Sequence, residues 1–220
     1  MVLLLTYMRK TPFVTGEFYH IYNRGVDKRS IFISDKDFDR FLQSMNIFNV
    51  IEPVGSIYEQ AFIEKSQLGR RTSKLVNIVC FCLNKNHYHM LIKQLVDGGI
   101  SEFMKRLGGG FSKYFNIKYK RSGVLLQSKF KSIHIDSNEY LLHLSTYINL
   151  NNHVHGLKSG MFRSSWDEYK NSSTEGICSK DIILEQFKNK KEYKIFAEDS
   201  LKDILARREL FKQIEPILLE

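Results

Sequence analysis

The stretch 75–93 constrains the fold most. It reads LVNIVCFCL, then Asn84-Lys85-Asn86, then HYHMLIK. The first run is short, apolar and rich in β-branched residues, which predicts a buried strand over 75–83. The second predicts another over 87–93, joined to the first by only three polar residues. Upstream, the aromatic run EFYHIYN predicts a first strand over 17–23, closed by Gly25. Between them, Phe38, Phe41, Leu42, Met45 and Phe48 recur at helical spacing over 35–50, with Ser34 or Asp35 as the N-cap and Pro53 and Gly55 beyond the end. Residues 55–74 are polar and irregular and read as an insertion. A helix over 100–119, interrupted at Gly108-Gly109-Gly110, and an extended run over 124–135 complete the unit.

That order is β-α-β-β-α-β. It predicts an α+β, ferredoxin-like (RRM-like) antiparallel sheet with helices on one face. SNEYLLHLSTYINLN predicts a further helix over 137–151, with Leu141, Leu144 and Ile148 as its apolar stripe. Helical pieces over 181–189 and 201–214, ended by Pro216, form a C-terminal helical appendage. The expected organisation is one domain over 8–176 and a helical extension over 177–220.

Charge narrows the class of partner. The chain has 220 residues, a formal net charge of +9 and a pI near 9.3. Between 101 and 135, eight cations (Lys105, Arg106, Lys113, Lys118, Lys120, Arg121, Lys129 and Lys131) stand against one acid, Glu102. Phe103, Phe111, Tyr114, Phe115, Tyr119 and Phe130 are interleaved with them. Cations neutralise phosphates and aromatic rings stack on unpaired bases, so the segment suits single-stranded or distorted nucleic acid. Arg24, Lys28 and Arg29 after the first strand could add phosphate contacts. From 180 onward the charges balance. Three cysteines (Cys80, Cys82, Cys178) argue against a disulfide scaffold and for a reducing, cytoplasmic setting. Apolar residues make up 43%, which excludes global disorder, and no apolar run reaches the ~18–20 residues of a membrane span. Met8-Arg9-Lys10 reads as an ordinary start, with 1–7 as an upstream extension.

Two signals carry chemistry. His87 and His89 are two apart in a strand, so they project from the same face and can share a divalent cation. The plainer alternative is one surface histidine and one hydrogen-bonded in the sheet. Tyr147 and Asn151 lie four apart in the last predicted helix, on one face. There a phenol could act as a nucleophile while the amide oxygen supplies a third ligand. The alternative is a stripe-edge aromatic and a helix C-cap.

The blocks FYHIYNRG (18–25), CLNKNHYHMLI (82–92), FMKRLGGGFSKYFNIKYKRSGVLLQSKFKSI (103–133) and EYLLHLSTYINLNN (139–152) resemble the single-tyrosine HUH transposases. The closest resemblance is to the REP-associated tyrosine transposases, with their IS200-like transposase domain. It runs from about residue 15 to 166. The resemblance implies Tyr147 as the nucleophile and His87, His89 and Asn151 as ligands of Mg²⁺ or Mn²⁺, although imidazole would also suit Zn²⁺. It further implies cleavage and rejoining of single-stranded, hairpin-forming DNA through a 5′-phosphotyrosine, by a monomer or homodimer. Asn152 departs from the pattern, since the family often has proline after the catalytic helix. An alternative remains on the same fold: a non-catalytic nucleic-acid-binding regulator. A third reading is a metal-dependent phosphodiesterase that uses water.

Overall fold

A computed structural model describes residues 12–55, 73–171 and 176–214. The expected start at 8–10, most of the 55–74 insertion and Pro216 lie outside the described residues. Five antiparallel strands form one sheet: β1 (Phe18–Arg24), β2 (Val76–Asn84), β3 (His87–Gln94), β4 (Lys131–Ile135) and β5 (Phe162–Ser164). Their spatial order is β4-β1-β3-β2-β5. The first four strands therefore keep the ferredoxin-like arrangement that the β-α-β-β-α-β order predicts.

The two helices of that unit are α1 (Asp35–Ile47) and α2 (Gly99–Lys118). Ser34 is the N-cap of α1, and the Asp37 carboxylate accepts the backbone N–H groups of Ile33 and Ser34 at 2.8 Å. Phe38, Phe41 and Met45 of α1 meet Phe103, Leu107 and Phe111 of α2 over Tyr19, Ile21, Tyr88 and Met90 of the sheet. A polar clamp ties the helices at the rim of this core. Asp37 is fully buried and pairs with Lys118 at 2.6 Å and with the Tyr119 hydroxyl at 2.7 Å.

The expected helix break at Gly108-Gly109-Gly110 does not occur, and α2 is continuous. Gly110 is required by packing: a Cβ there would stand 2.8 Å from the Phe48 ring.

Helices cover both faces of the sheet, which corrects the one-face expectation. On the second face lie α3 (Asn138–Asn149) and, beyond a break at Leu150, the single turn α4 (Asn151–Val154). The short α5 (Trp166–Lys170) and α6 (Asp181–Leu184) and the long α7 (Lys190–Ile214) complete the layer. The physical reason lies in β2. An irregularity between Ile78 and Cys80 re-phases the strand, so Val79, Cys80 and Cys82 face the second layer while Ile78, Phe81 and Leu83 face the first. A strand apolar on both faces must be covered on both. Leu141, Leu144 and Ile148 of α3 do so, together with Tyr169, Ile183 and Tyr193. The tail is thus part of this second core: the buried Tyr193 hydroxyl accepts from Asn149 Nδ2 at 3.1 Å and lies 3.1 Å from Ser145 Oγ.

Candidate active site

Strand alternation places Tyr88 in the first core and turns His87 and His89 to the second face, as the spacing predicts. Opposite them on β1, Tyr22 faces His89 and Arg24 faces His87. α3 crosses this face and carries Tyr147, whose ring centroid lies 5.7 Å from that of His89 and 6.5 Å from that of His20. These side chains share one cleft of about 450 Å³, lined by His87, His89 and Tyr147, with Tyr22, Arg24, Lys131 and His155 around them.

Asn151 is adjacent but not in the cleft wall. It is fully buried, and its Oδ1 accepts from Asn84 Nδ2 at 2.6 Å and lies 3.3 Å from His87 Nε2. The same Asn84 amide lies 2.9 Å from His87 Nε2. On its other side, His87 Nδ1 lies 2.7 Å from Asn86 Oδ1, which makes Nδ1 the donor and leaves Nε2 with its lone pair. Asn151 Nδ2 is buried without a hydrogen-bond partner.

Burial sets the charge of the site. It lowers the His87 pKa to about 4, with His155 adding to the effect, and holds His89 well below the ordinary histidine range. Both imidazoles are therefore neutral at pH 7, the form that can donate a lone pair to a cation. Burial also raises the Tyr147 pKa, so the phenol stays protonated at rest.

Two histidines of the site escape a reading of the His-x-His pair. His20 sits on β1 with its Nε2 2.8 Å from His89 Nδ1, and burial lowers its pKa to about 4. His155 follows α4, its ring 4.8 Å from that of His87. His20 stands inside FYHIYN, and the available signal was the strand pairing that sets β1 beside β3. His155 had a local signal: it lies four residues after Asn151 and eight after Tyr147, and the helical path resumes past Leu150, with His155 N–H donating to the Asn151 carbonyl at 3.1 Å. Cys82, by contrast, is the inert buried thiol its strand position suggests: its pKa is pushed up to about 12.

Residues 63–151 match the model of a family described as Transposase IS200 like. That segment is thus similar to the IS200-like transposases. It contains β2, β3, α2, β4 and α3, and with them His87, His89, Tyr147 and Asn151. A solved structure, "Structure of the REP associates tyrosine transposase bound to a REP hairpin", is similar at 13% identity and a TM-score of 0.49, covering 77% of this chain and 88% of that one. No curated protein matches.

The cations expected to bind DNA fall into three groups. Arg24 and Lys131 line the cleft, and Gln127 Oε1 accepts from Arg24 Nε. Lys105 and Lys129 line a second, larger groove beside α2, while Lys113 and Lys120 are exposed. The other three are engaged in the fold. Lys118 is paired with Asp37, Arg106 donates to Glu102 and to the carbonyl of Val50, and Arg121 donates to Asn116 and to the carbonyl of Val124. No described helix is long and apolar enough to cross a membrane.

Proposed function

We propose that the chain is a transposase that cuts and rejoins single-stranded, hairpin-forming DNA in the cytoplasm, with Tyr147 as nucleophile. One observation carries the reading: Tyr147, His87 and His89, distant in sequence, line one cationic cleft within the IS200-like segment. The similar solved protein is bound to a REP hairpin, and single-stranded hairpin DNA is the corresponding substrate proposed for this chain. Arg24 and Lys131 would bind the phosphates on either side of the scissile bond. The Tyr147 oxygen would attack phosphorus and lose its proton. The P–O3′ bond would break, the leaving oxygen would take up a proton as a 3′-OH, and the phosphate would remain on Tyr147 as a 5′-phosphotyrosine. Attack by a strand's 3′-OH reverses the step with no external energy, because one phosphodiester replaces another.

A divalent cation, Mg²⁺ or Mn²⁺, would be held by His87, His89 and Asn151. Its donors fit in two respects. Both imidazoles are neutral, and His87 Nε2 lies 3.3 Å from Asn151 Oδ1, close to the ~3 Å between neighbouring ligands at ~2.1 Å on an octahedral ion. No group of three or more His, Cys, Asp or Glu suited to a metal occurs among the described residues, and the Asn151 amide would serve as the third ligand. When bound, the ion would polarise the scissile phosphate and favour the phenolate. His20 would act through His89: a neutral His20 Nε2 accepts from His89 Nδ1–H and leaves His89 Nε2 free for the ion. Residues 8–176 would carry the chemistry, and 177–220 would brace α3 through Tyr193.

The test is incubation with hairpin-bearing single-stranded DNA and Mn²⁺. A covalent protein–DNA adduct should form with the wild type, be absent in Tyr147→Phe and be lost on chelation. Tight binding with no adduct in any metal would instead favour the non-catalytic regulator. Cleavage that persists in Tyr147→Phe would favour attack by water.

A further inference from the structure

We propose that the groove between α2 and residues 123–130 binds an unpaired base of the DNA strand whose phosphate lies at Tyr147. This rests on the single-stranded DNA reading above. The groove holds about 860 Å³, larger than the catalytic cleft beside it. Its composition is that of a base site. Val124 and Leu126 offer apolar surface to a ring, above the buried Met104 and Leu125; Ser112 and Ser128 offer hydrogen bonds at its edge; and Lys129 supplies a cation, with Lys105, paired with Glu102 at 3.2 Å, at the rim.

Position argues for the same strand as occupant. Asn23 and Gln127 line both the groove and the catalytic cleft, so one wall separates the two. That wall is the end of β1 bridged to the loop through Gly25 and Leu126, with Gln127 N–H donating to the Arg24 carbonyl at 2.9 Å. Lys129 faces the groove and Lys131 the cleft. Two residues of chain span at most ~7 Å, about two 3.4 Å rises along a strand. A strand anchored at Lys131 therefore reaches the groove within one or two nucleotides.

The helix wall adds an independent observation. Gly108 and Gly109 both line the groove, and neither is required by packing within the protein. A Cβ at Gly109 would meet nothing within 4 Å, and one at Gly108 would meet only Leu126 Cδ1 at 3.9 Å. Each glycine weakens α2, yet α2 is unbroken. An open backbone surface facing a cationic groove admits a base or sugar closer than any side chain would allow.

The experiment uses the full chain and a fluorescent single-stranded 24-mer of random sequence, with 5-iodouracil in place of thymine for photocrosslinking. Gly109→Leu fills the groove with a good helix former. It should melt no lower than wild type and bind the 24-mer at least tenfold more weakly. Wild-type crosslinks should map to 101–130 as well as to the cleft. Unchanged affinity in Gly109→Leu, or crosslinks confined to the cleft, would overturn the groove as a base site while leaving the Tyr147 reading intact. Should Gly109→Leu melt lower than wild type, the crosslink map alone decides. Failure of the wild type to bind the 24-mer at all would also overturn the groove as a base site, whereas the Tyr147 reading stands or falls on the adduct with hairpin-bearing DNA.

Discussion

Taking the chelator-treated protein from pH 7 to pH 4.5 should destabilise it by at least ~5 kcal/mol, and the cause is the buried imidazoles. His20 and His87 have pKa values lowered from 6.5 to about 4. Between those values the unfolded chain binds more protons than the folded one, so stability rises with pH across that window. The contribution is fully present above pH 6.5 and is lost as pH falls toward 4. At pH 4.5 each of these two has forfeited about 2.5 kcal/mol, together near 5 kcal/mol, and His89, held well below the ordinary histidine range by burial, adds to the loss. That is a large share of the ~5–15 kcal/mol that holds a typical domain folded. At ~2–4 °C per kcal/mol for a chain of this size, Tm should drop by roughly 10–20 °C. Asp37 does not confuse the result, because its lowered pKa of about 2 moves its own loss below pH 4. Thermal melts at half-unit pH steps measure the curve, and His20→Gln, which takes up no proton, should remove about 2.5 kcal/mol of the loss. A Tm that stays flat from pH 6.5 to 4.5 would refute the claim that these histidines are buried in the neutral form.

Other substitutions separate fold from function. Asp37→Ala leaves Lys118 and two helix-start amides without their partner and should cost ~3–5 kcal/mol in urea unfolding. Gly110→Ala should destabilise by ~1–3 kcal/mol through the Phe48 clash, while Gly109→Ala in the same helix should stabilise by about 1 kcal/mol. Neutralising Lys129 or Lys131 should each reduce the salt slope of single-stranded DNA binding by about 0.7, whereas Lys118→Gln should lower Tm through loss of its pair with Asp37.

The sheet was legible in the sequence because its strands have short, dense apolar runs. The paired faces of His87 and His89 followed from strand period alone. Helix α2 was harder, since three consecutive glycines argue locally for a break, and only the packing of Phe103, Leu107 and Phe111 against α1 and the sheet overrides it. The second helical layer was missed because the tail's charges balance and its apolar residues are sparse; its role emerges only once Tyr193 is seen buried against α3. Composition locates the cations of 101–135 but not which of them are held by the fold. Lys118, Arg106 and Arg121 serve the fold, which no count of charges distinguishes from Lys129 and Lys131. His20 enters the site through long-range strand pairing, which leaves no local signature, whereas His155 continues the four-residue spacing of Tyr147 and Asn151 past the break at Leu150.

Tyr22 shares the cleft with Tyr147, so the identity of the nucleophile is the central claim most open to direct measurement. The adduct formed with hairpin-bearing DNA and Mn²⁺ should be trimmed with nuclease, digested with trypsin and sequenced by mass spectrometry. A nucleotide should be found attached through its 5′-phosphate to Tyr147. Attachment to Tyr22, or cleavage with no covalent intermediate, would contradict it.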